Sequence, residues 1–272
     1  MVAETPADVW AAGDAYEPYV GRWSRSVARA FLRWLALPSD LAWLDVGCGT
    51  GALSRTILDD GAPRSVLAVD SSAGYLDYAR AHVCDPRLSF RIGDAQALPL
   101  ADRAVDAAAS GLVLNFIPDA ARALAEMRRV VRPGGTVALY VWDYAGEMQL
   151  MRHFWNTVVA LDPEAEALDE GRRFPICNPA PLSDLFRNAG LADIEVRTID
   201  VPTVFRDFAD YWTPFLGAQG PAPGYCMSLS PARREALRIR LRDALPTQAD
   251  GRISLIARAF AVRAVVPESP ES

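Results

Sequence analysis

The chain has 272 residues, 51% hydrophobic and 23% charged, with 28 basic and 34 acidic side chains for a net charge of −6, an ordinary globular balance that argues against a nucleic-acid binder. Every basic residue is arginine, which excludes a Walker A P-loop, a Schiff-base lysine and a Tyr/Lys dehydrogenase dyad. Cys48, Cys84, Cys177 and Cys226 form no CxxC pair, and His82 and His153 lie far from each other, so the usual zinc spacings are missing and no metal is expected.

Residues 1–37 are rich in aromatics and arginine (Tyr16, Tyr19, Arg22, Trp23, Arg25, Trp34) and read as helices lying over a sheet. The opening MVAETPADVW has neither the basic start nor the apolar stretch of a signal peptide, and no run approaches the ~18 apolar residues of a membrane span. A cytoplasmic protein with reduced thiols is expected, and the lysine-free composition suits a GC-rich bacterial genome.

From residue 43 the pattern alternates between strand and helix. Trp43–Val46 is a short apolar run followed by a helix over Ala52–Asp59 that stops at Gly61; Val66–Val69 ends at Asp70, and Ser72 caps a helix running to about Val83. Leu88–Ile92 and Val105–Ala109 read as the next strands. Asp119 caps a helix with Leu124, Met127 and Val131 on one face, Arg132–Gly135 is turn chemistry, and Thr136–Trp142 is a fifth strand. Ser183–Ala189 reads as a helix, and Ile194–Val204 and Ile253–Val266 as long strands with a mostly helical insertion between them.

This order predicts an α/β fold: a Rossmann-like doubly wound sheet of about seven strands, mostly parallel with an antiparallel last strand. It is read as a single domain over 1–266, with a helical cap at 1–37, a ligand-binding core at 38–143 and a disordered tail at 267–272. Insertions at 144–180 and 206–250, carrying Phe154, Trp155, Tyr211, Trp212, Phe215 and Tyr225, are expected over the carboxyl ends of the strands, where open α/β sheets bind ligands. The alternative is that these aromatics pack the insertions onto the core.

Chemistry concentrates in Asp45-Val46-Gly47-Cys48-Gly49-Thr50-Gly51, three glycines at alternate positions between strand and helix. Glycine permits the tight turn and lets a ligand approach the backbone. Gly47-x-Gly49-x-x-Ala52 also satisfies the looser dinucleotide fingerprint, and Asp70 could accept ribose hydroxyls in either case. Asp45 separates the two readings. A carboxylate there is unfavourable beside a pyrophosphate and favourable beside an ammonium or sulfonium group.

With these residues the sequence resembles the class I S-adenosylmethionine-dependent methyltransferases, in the small-molecule type 11 or ubiquinone/menaquinone-methyltransferase-like group. Asp45–Gly51 is similar to that family's first motif, and Asp70 to the acid ending its second strand. Gly93-Asp94-Ala95 with Leu98-Pro99 resembles the motif that meets the adenine amino group; Ala107–Asp119 and Val131–Tyr140 resemble its fourth- and fifth-strand blocks. Tyr19–Ser24 resembles an approach helix, and Pro181–Leu191 is a weaker match.

The resemblance implies S-adenosylmethionine as cofactor, with S-adenosylhomocysteine as product, held by Tyr19, Arg22, Asp45, Gly47, Cys48, Gly49, Gly51, Asp70, Ser71, Gly93, Asp94, Ala95 and Ser110. O- or C-methylation of a small molecule is expected, by a monomer or homodimer without nucleic acid or a membrane span, and the aromatic, Arg-containing insertions suggest an acceptor that is largely apolar, with or without an acidic group. Family members often carry a His-His or His-Trp pair where this chain has Asn115-Phe116, so a base at that point is not carried over. Other candidates for a base near the strand ends are Asp143, Tyr144 and His153. Arg22 is a candidate for the cofactor's carboxylate, since a guanidinium matches one bidentately. The competing readings are an NAD(P)-dependent oxidoreductase and a non-catalytic, cofactor-binding regulatory protein of the same fold.

Overall fold

Apolar runs too short for helices become the centre of the sheet. In the computed structural model, which describes residues 21–217 and 220–268, these are β1 (Ala42–Val46), β2 (Ser65–Asp70), β3 (Leu88–Ile92), β4 (Val105–Gly111) and β5 (Val131–Trp142), all parallel. Crossover helices α2 (Ala52–Asp60), α3 (Ala73–His82) and α4 (Ala120–Val130) connect them, after α1 (Arg22–Leu35). As expected, the Ser72 hydroxyl caps α3, accepting from Tyr75 N, and the Asp119 carboxylate caps α4, accepting from Arg122 N. The last strands, β6 (Ala192–Phe205) and β7 (Ile253–Val265), complete seven in the order β3-β2-β1-β4-β5-β7-β6, with β7 antiparallel to both neighbours. The order reverses between β1 and β4, and that switch point opens the crevice in which such sheets bind ligands.

Two boundaries differ from the sequence reading for local reasons. The turn at Arg132–Gly135 is absorbed into β5 as an irregularity: Val131 pairs Val105, but the next pair is Thr136 with Ala107. Gly134 supplies the positive φ of 75° there, and its N–H donates to Val266 O at 2.8 Å. The helix expected over Ser183–Ala189 instead starts four residues earlier, as α7 (Pro179–Asn188). Its prolines fall in the first turn, where a missing N–H breaks no helical bond.

Between β5 and β6 lie α5 (Gln149–Leu161), α6 (Glu170–Arg173) and α7; between β6 and β7 lie α8 (Phe208–Trp212), α9 (Pro221–Ser228) and α10 (Pro231–Ala244). Apart from α7, which packs on β6 and β7 beside α4, these helices gather on the part of the β6–β7 hairpin that continues past Trp142, the last residue of β5. Gln149 Oε1 accepts from Ile256 N at 2.8 Å, and Tyr211 Oη donates to Leu150 O at 2.8 Å. Phe154 stacks on Phe215 at 4.5 Å, and Trp155 meets Tyr225 at 5.7 Å. The insertion aromatics therefore pack against one another and the hairpin, and one contiguous apolar core joins them to the sheet. No helix among the described residues is long and apolar enough to cross a membrane.

Glu170 is the odd member of that core. It is fully buried, bonded by the Trp155 indole N–H, and its Oε1 has no partner. Burial pushes its carboxyl up to about 7. The unfolded chain ionises near pH 4.5 while the folded one keeps its proton, so this group's stability contribution falls as pH rises from there to about 7. Glu170→Gln retains an acceptor for Trp155 and removes the titration. Its melting temperature should match wild type near pH 5 and exceed it near pH 8, which a melting series across that range will show.

Candidate cofactor and acceptor site

The loop after β1 is held by its neighbours' backbone. Gly47 N and Cys48 N both donate to Val69 O, at 2.8 and 3.1 Å, and Gly51 N closes the turn on Cys48 O at 2.8 Å. Gly47 and Gly49 have φ of +71° and +50°. A Cβ on Gly47 would stand 2.5 Å from Val113 Cγ1, whereas one on Gly49 would meet nothing within 4 Å. Gly47 is thus demanded by packing, while Gly49 faces open space kept clear for something else.

Asp70 ties two loops together at the end of β2. Its Oδ2 accepts from Gly49 N at 2.9 Å and its Oδ1 from Ser72 N at 2.8 Å, and burial raises its pKa against those bonds. Asp94 is exposed on the loop after β3; it accepts from Gln96 N at 2.8 Å, which lowers its pKa. Asp45, at the end of β1, is 0% exposed. Ser54 Oγ donates to its Oδ2 at 2.6 Å, while Oδ1 is buried without a partner. Desolvation pushes Asp45 up to about 7, with Asp70's charge adding to the effect.

These groups share one cavity of about 440 Å³, within the usual range for small-molecule sites. Of the residues expected to bind cofactor, Asp45, Gly47, Cys48, Gly49, Asp70, Ser71, Gly93, Asp94 and Ala95 line it. Gly51 lies behind them as the start of α2. Ser110 is placed elsewhere, its buried hydroxyl donating to Val46 O at 2.8 Å. Tyr19 lies outside the described residues, as do most of the expected N-terminal cap (1–20) and the end of the tail (269–272).

Arg22 is also placed elsewhere. Its guanidinium donates to Asp210 at 2.9 Å and to Val204 O at 3.1 Å, and lies over the rings of Trp23 and Phe205. It clamps α1 to the end of β6 because a carboxylate and two aromatic faces satisfy it there. Arg22→Ala should therefore lower stability by about 1 kcal/mol, a small value because the pair is partly exposed, and leave S-adenosylhomocysteine affinity unchanged by calorimetry.

The three candidate bases do not meet the cavity either. Asp143 accepts from Gly146 N and Glu147 N, both at 2.9 Å, and so closes the turn after β5. Tyr144 is buried against Phe174, with ring centroids 5.6 Å apart. His153 sits half-buried on α5, where desolvation lowers its pKa. Among the described residues, none from 144–180 or 206–250 lines the cavity; the first insertion approaches it through Phe174, whose ring meets Phe116 at 5.2 Å.

Sequence reasoning missed the other end of the cavity. Leu112, Val113, Phe116 and Ile117 after β4, Tyr140 on β5 and Ser24 on α1 form a largely apolar wall. Leu112 holds a positive φ of 64°, a strained position for a bulky residue and of the kind that clusters at functional sites. The available signal was topological: residues directly following β4 stand at the carboxyl edge of the switch point.

A methyltransferase-domain model matches residues 44–139, which run from β1 into β5. The chain is 42% identical over 115 residues to the malonyl-(acyl-carrier protein) O-methyltransferase of Pectobacterium atrosepticum, a match covering 42% of this chain and 44% of that protein. It is 31% identical over 178 residues to the demethylmenaquinone methyltransferase of Roseiflexus castenholzii, covering 60% and 73%. The chain spans about half, or less, of the length of the first curated relatives it matches. Among solved structures, phosphoethanolamine N-methyltransferase 2 of Haemonchus contortus in complex with S-adenosyl-L-methionine shares the fold at TM-score 0.57 and 18% identity, over 89% of this chain and 53% of that one. The 4+2 cyclase SpnF shares it at TM-score 0.56 and 20% identity, over 90% and 82%.

The chain belongs to the class I S-adenosylmethionine-dependent methyltransferase family.

Proposed function

We propose that the protein transfers the methyl group of S-adenosylmethionine to the oxygen or carbon of a small, largely apolar acceptor. The observation that carries this reading is the two-ended cavity: Asp45, the glycine loop, Asp70 and Asp94 at one end, Leu112, Val113, Phe116 and Tyr140 at the other. The first end fits the cofactor's chemistry. Gly49 leaves its cradle clear, and Asp45 Oδ1 is a buried acceptor lacking a donor, which an ammonium group would supply. Asp70 and Asp94 offer further lone pairs to ribose hydroxyls and an exocyclic amine.

When bound, the cofactor supplies an electrophilic methyl on a sulfonium centre. The protein's own part is to hold the two reactants in line and keep water out, and the apolar wall serves both ends. Among the described residues no arginine lines the cavity, so it suits an apolar ring, as the name of the demethylmenaquinone relative implies, better than the carboxylate of a malonyl group. SpnF, named a cyclase, has the same fold, which therefore does not decide between methyl transfer and cofactor binding alone.

The test is incubation of the protein with methyl-labelled cofactor and a panel of phenols, enols and quinols, with carboxylates as controls. Labelled ring or ether products are expected. Tight cofactor binding with no transfer to any member of the panel would favour the regulatory reading.

A further inference from the structure

Asp45 is surrounded by groups that cannot neutralise it. β2 pairs it with Ala68 and β4 with Ala109, and α2 faces it with Ser54. The titratable groups coupled to it are the Asp70 carboxylate and the Cys48 thiol, while Arg80 acts on Cys48 and, among the described residues, no arginine acts on Asp45. A bare carboxylate here would be a buried charge without a protein counterion, so its surroundings favour the neutral acid until a cation is bound. Ser54 is the exception to this apolar surround. A buried helical hydroxyl can turn back to its own helix, as Thr56 Oγ1 does in donating to Ala52 O at 2.8 Å. Ser54, 0% exposed in the first turn of the same helix, donates across to Asp45 Oδ2 and leaves Oδ1 without a partner.

We propose that capture of the cofactor's amino-acid end is proton-coupled, and that Ser54 is the positioning residue that sets the coupling. Asp45 waits as the neutral acid, releases its proton to solvent as an ammonium group arrives at Oδ1, and is held as the carboxylate by the Ser54 hydroxyl on Oδ2. One O–H bond breaks, the proton passes to the buffer, an ion pair forms, and nothing is oxidised or reduced. The inference rests on the cavity being the S-adenosylmethionine site.

The experiment is calorimetric titration with S-adenosylhomocysteine from about pH 6 to about pH 9, in paired buffers of different ionisation heat. Wild type should release close to one proton at the acid end and progressively fewer as pH rises, the ligand's own amine taking protons up at the alkaline end, with affinity rising about tenfold per pH unit below the midpoint. Ser54→Ala removes the side-chain bond that favours the charged form and keeps the weaker influence of the Ser54 backbone N–H. Its midpoint should move up by about one unit, making binding roughly tenfold weaker near pH 7 and nearly equal to wild type near pH 9. Ser54→Thr, which keeps the hydroxyl, should restore the wild-type profile. An affinity gap between Ser54→Ala and wild type that is the same at every pH, or binding without proton release, would overturn the proposal.

Failure of wild type to bind at any pH would sink the cofactor reading, and with it proton-coupled capture. Melting of the ligand-free proteins still tests Ser54's hold on Asp45 separately. The gap between Ser54→Ala and wild type should widen as pH rises from about 7 to about 8, because the variant keeps its proton longer. A constant gap would show that Ser54 is merely structural.

Discussion

Asp45→Asn should melt at a higher temperature than wild type near pH 8 without ligand, and bind S-adenosylhomocysteine tenfold to a hundredfold less tightly. The stability half follows from linkage. The folded carboxyl titrates near 7 against 3.8 for the free group, so the unfolded chain gives up a proton that the folded one retains. That term destabilises progressively as pH rises from about 4 to about 7 and is constant above it. Three units correspond to a ceiling on the order of 4 kcal/mol, but a buried amide keeps part of the desolvation cost. A gain of roughly 1–2 kcal/mol, a few degrees for a chain of this size, is the expected result. The affinity half follows from losing a charge-assisted hydrogen bond worth about 1.5–3 kcal/mol. Together the two outcomes would mark a residue that lowers the stability of the ligand-free protein and raises its affinity for the ligand. An Asn variant that is less stable near pH 8 and binds as tightly as wild type would remove Asp45 from the site.

Gly49→Leu should abolish measurable S-adenosylhomocysteine binding, a loss of more than about a hundredfold, while lowering the melting temperature by only a few degrees. A Cβ here meets nothing within 4 Å beyond its chain neighbours, so the main structural penalty is the left-handed backbone at φ +50°, about 1–2 kcal/mol for a residue with a Cβ. The leucine would instead occupy the space above the loop, in the proposed cofactor site. Gly47→Ala provides the contrast: its Cβ would collide with Val113, so stability and binding should fall together. Melting curves with and without ligand separate the two patterns. Wild-type affinity in a folded Gly49→Leu would mean the ligand lies elsewhere.

The fold was legible where local chemistry and periodicity agree. Leu88–Ile92 is a strand over the predicted residues, Ser72 and Asp119 cap the helices they were expected to cap, and the last strand is antiparallel as expected. The start of α7 was not legible, because a first-turn proline and a turn proline look the same in a sequence. At the site, Asp45, the glycine loop and Asp70 stood out by their places at strand ends, Gly93-Asp94 stood out chiefly through the family resemblance, and the structure gathers them on one cavity. Arg22 could not be placed in the same way. Its fate depends on Asp210, which is 188 positions away and comes into reach only when β6 and α8 fold beside α1. Asp143 was expected as a candidate base on the ground that it ends a strand, yet the turn it closes leaves Gly146 N and Glu147 N needing both of its oxygens. Ser54 has no motif to announce it, since only the crossing of α2 over β1 brings its hydroxyl to Asp45.

The chemistry of this cavity favours a ligand that is cationic beside Asp45 over a pyrophosphate. The most direct measurement is the melting temperature of the intact protein with saturating S-adenosylhomocysteine, set against NAD and NADP at the same concentrations. A ligand at a hundred times its dissociation constant stabilises by about 2.7 kcal/mol, which moves the transition by several degrees. That shift is expected with S-adenosylhomocysteine, its loss in Gly49→Leu, and none with either nicotinamide. Stabilisation by NAD or NADP alone would contradict it.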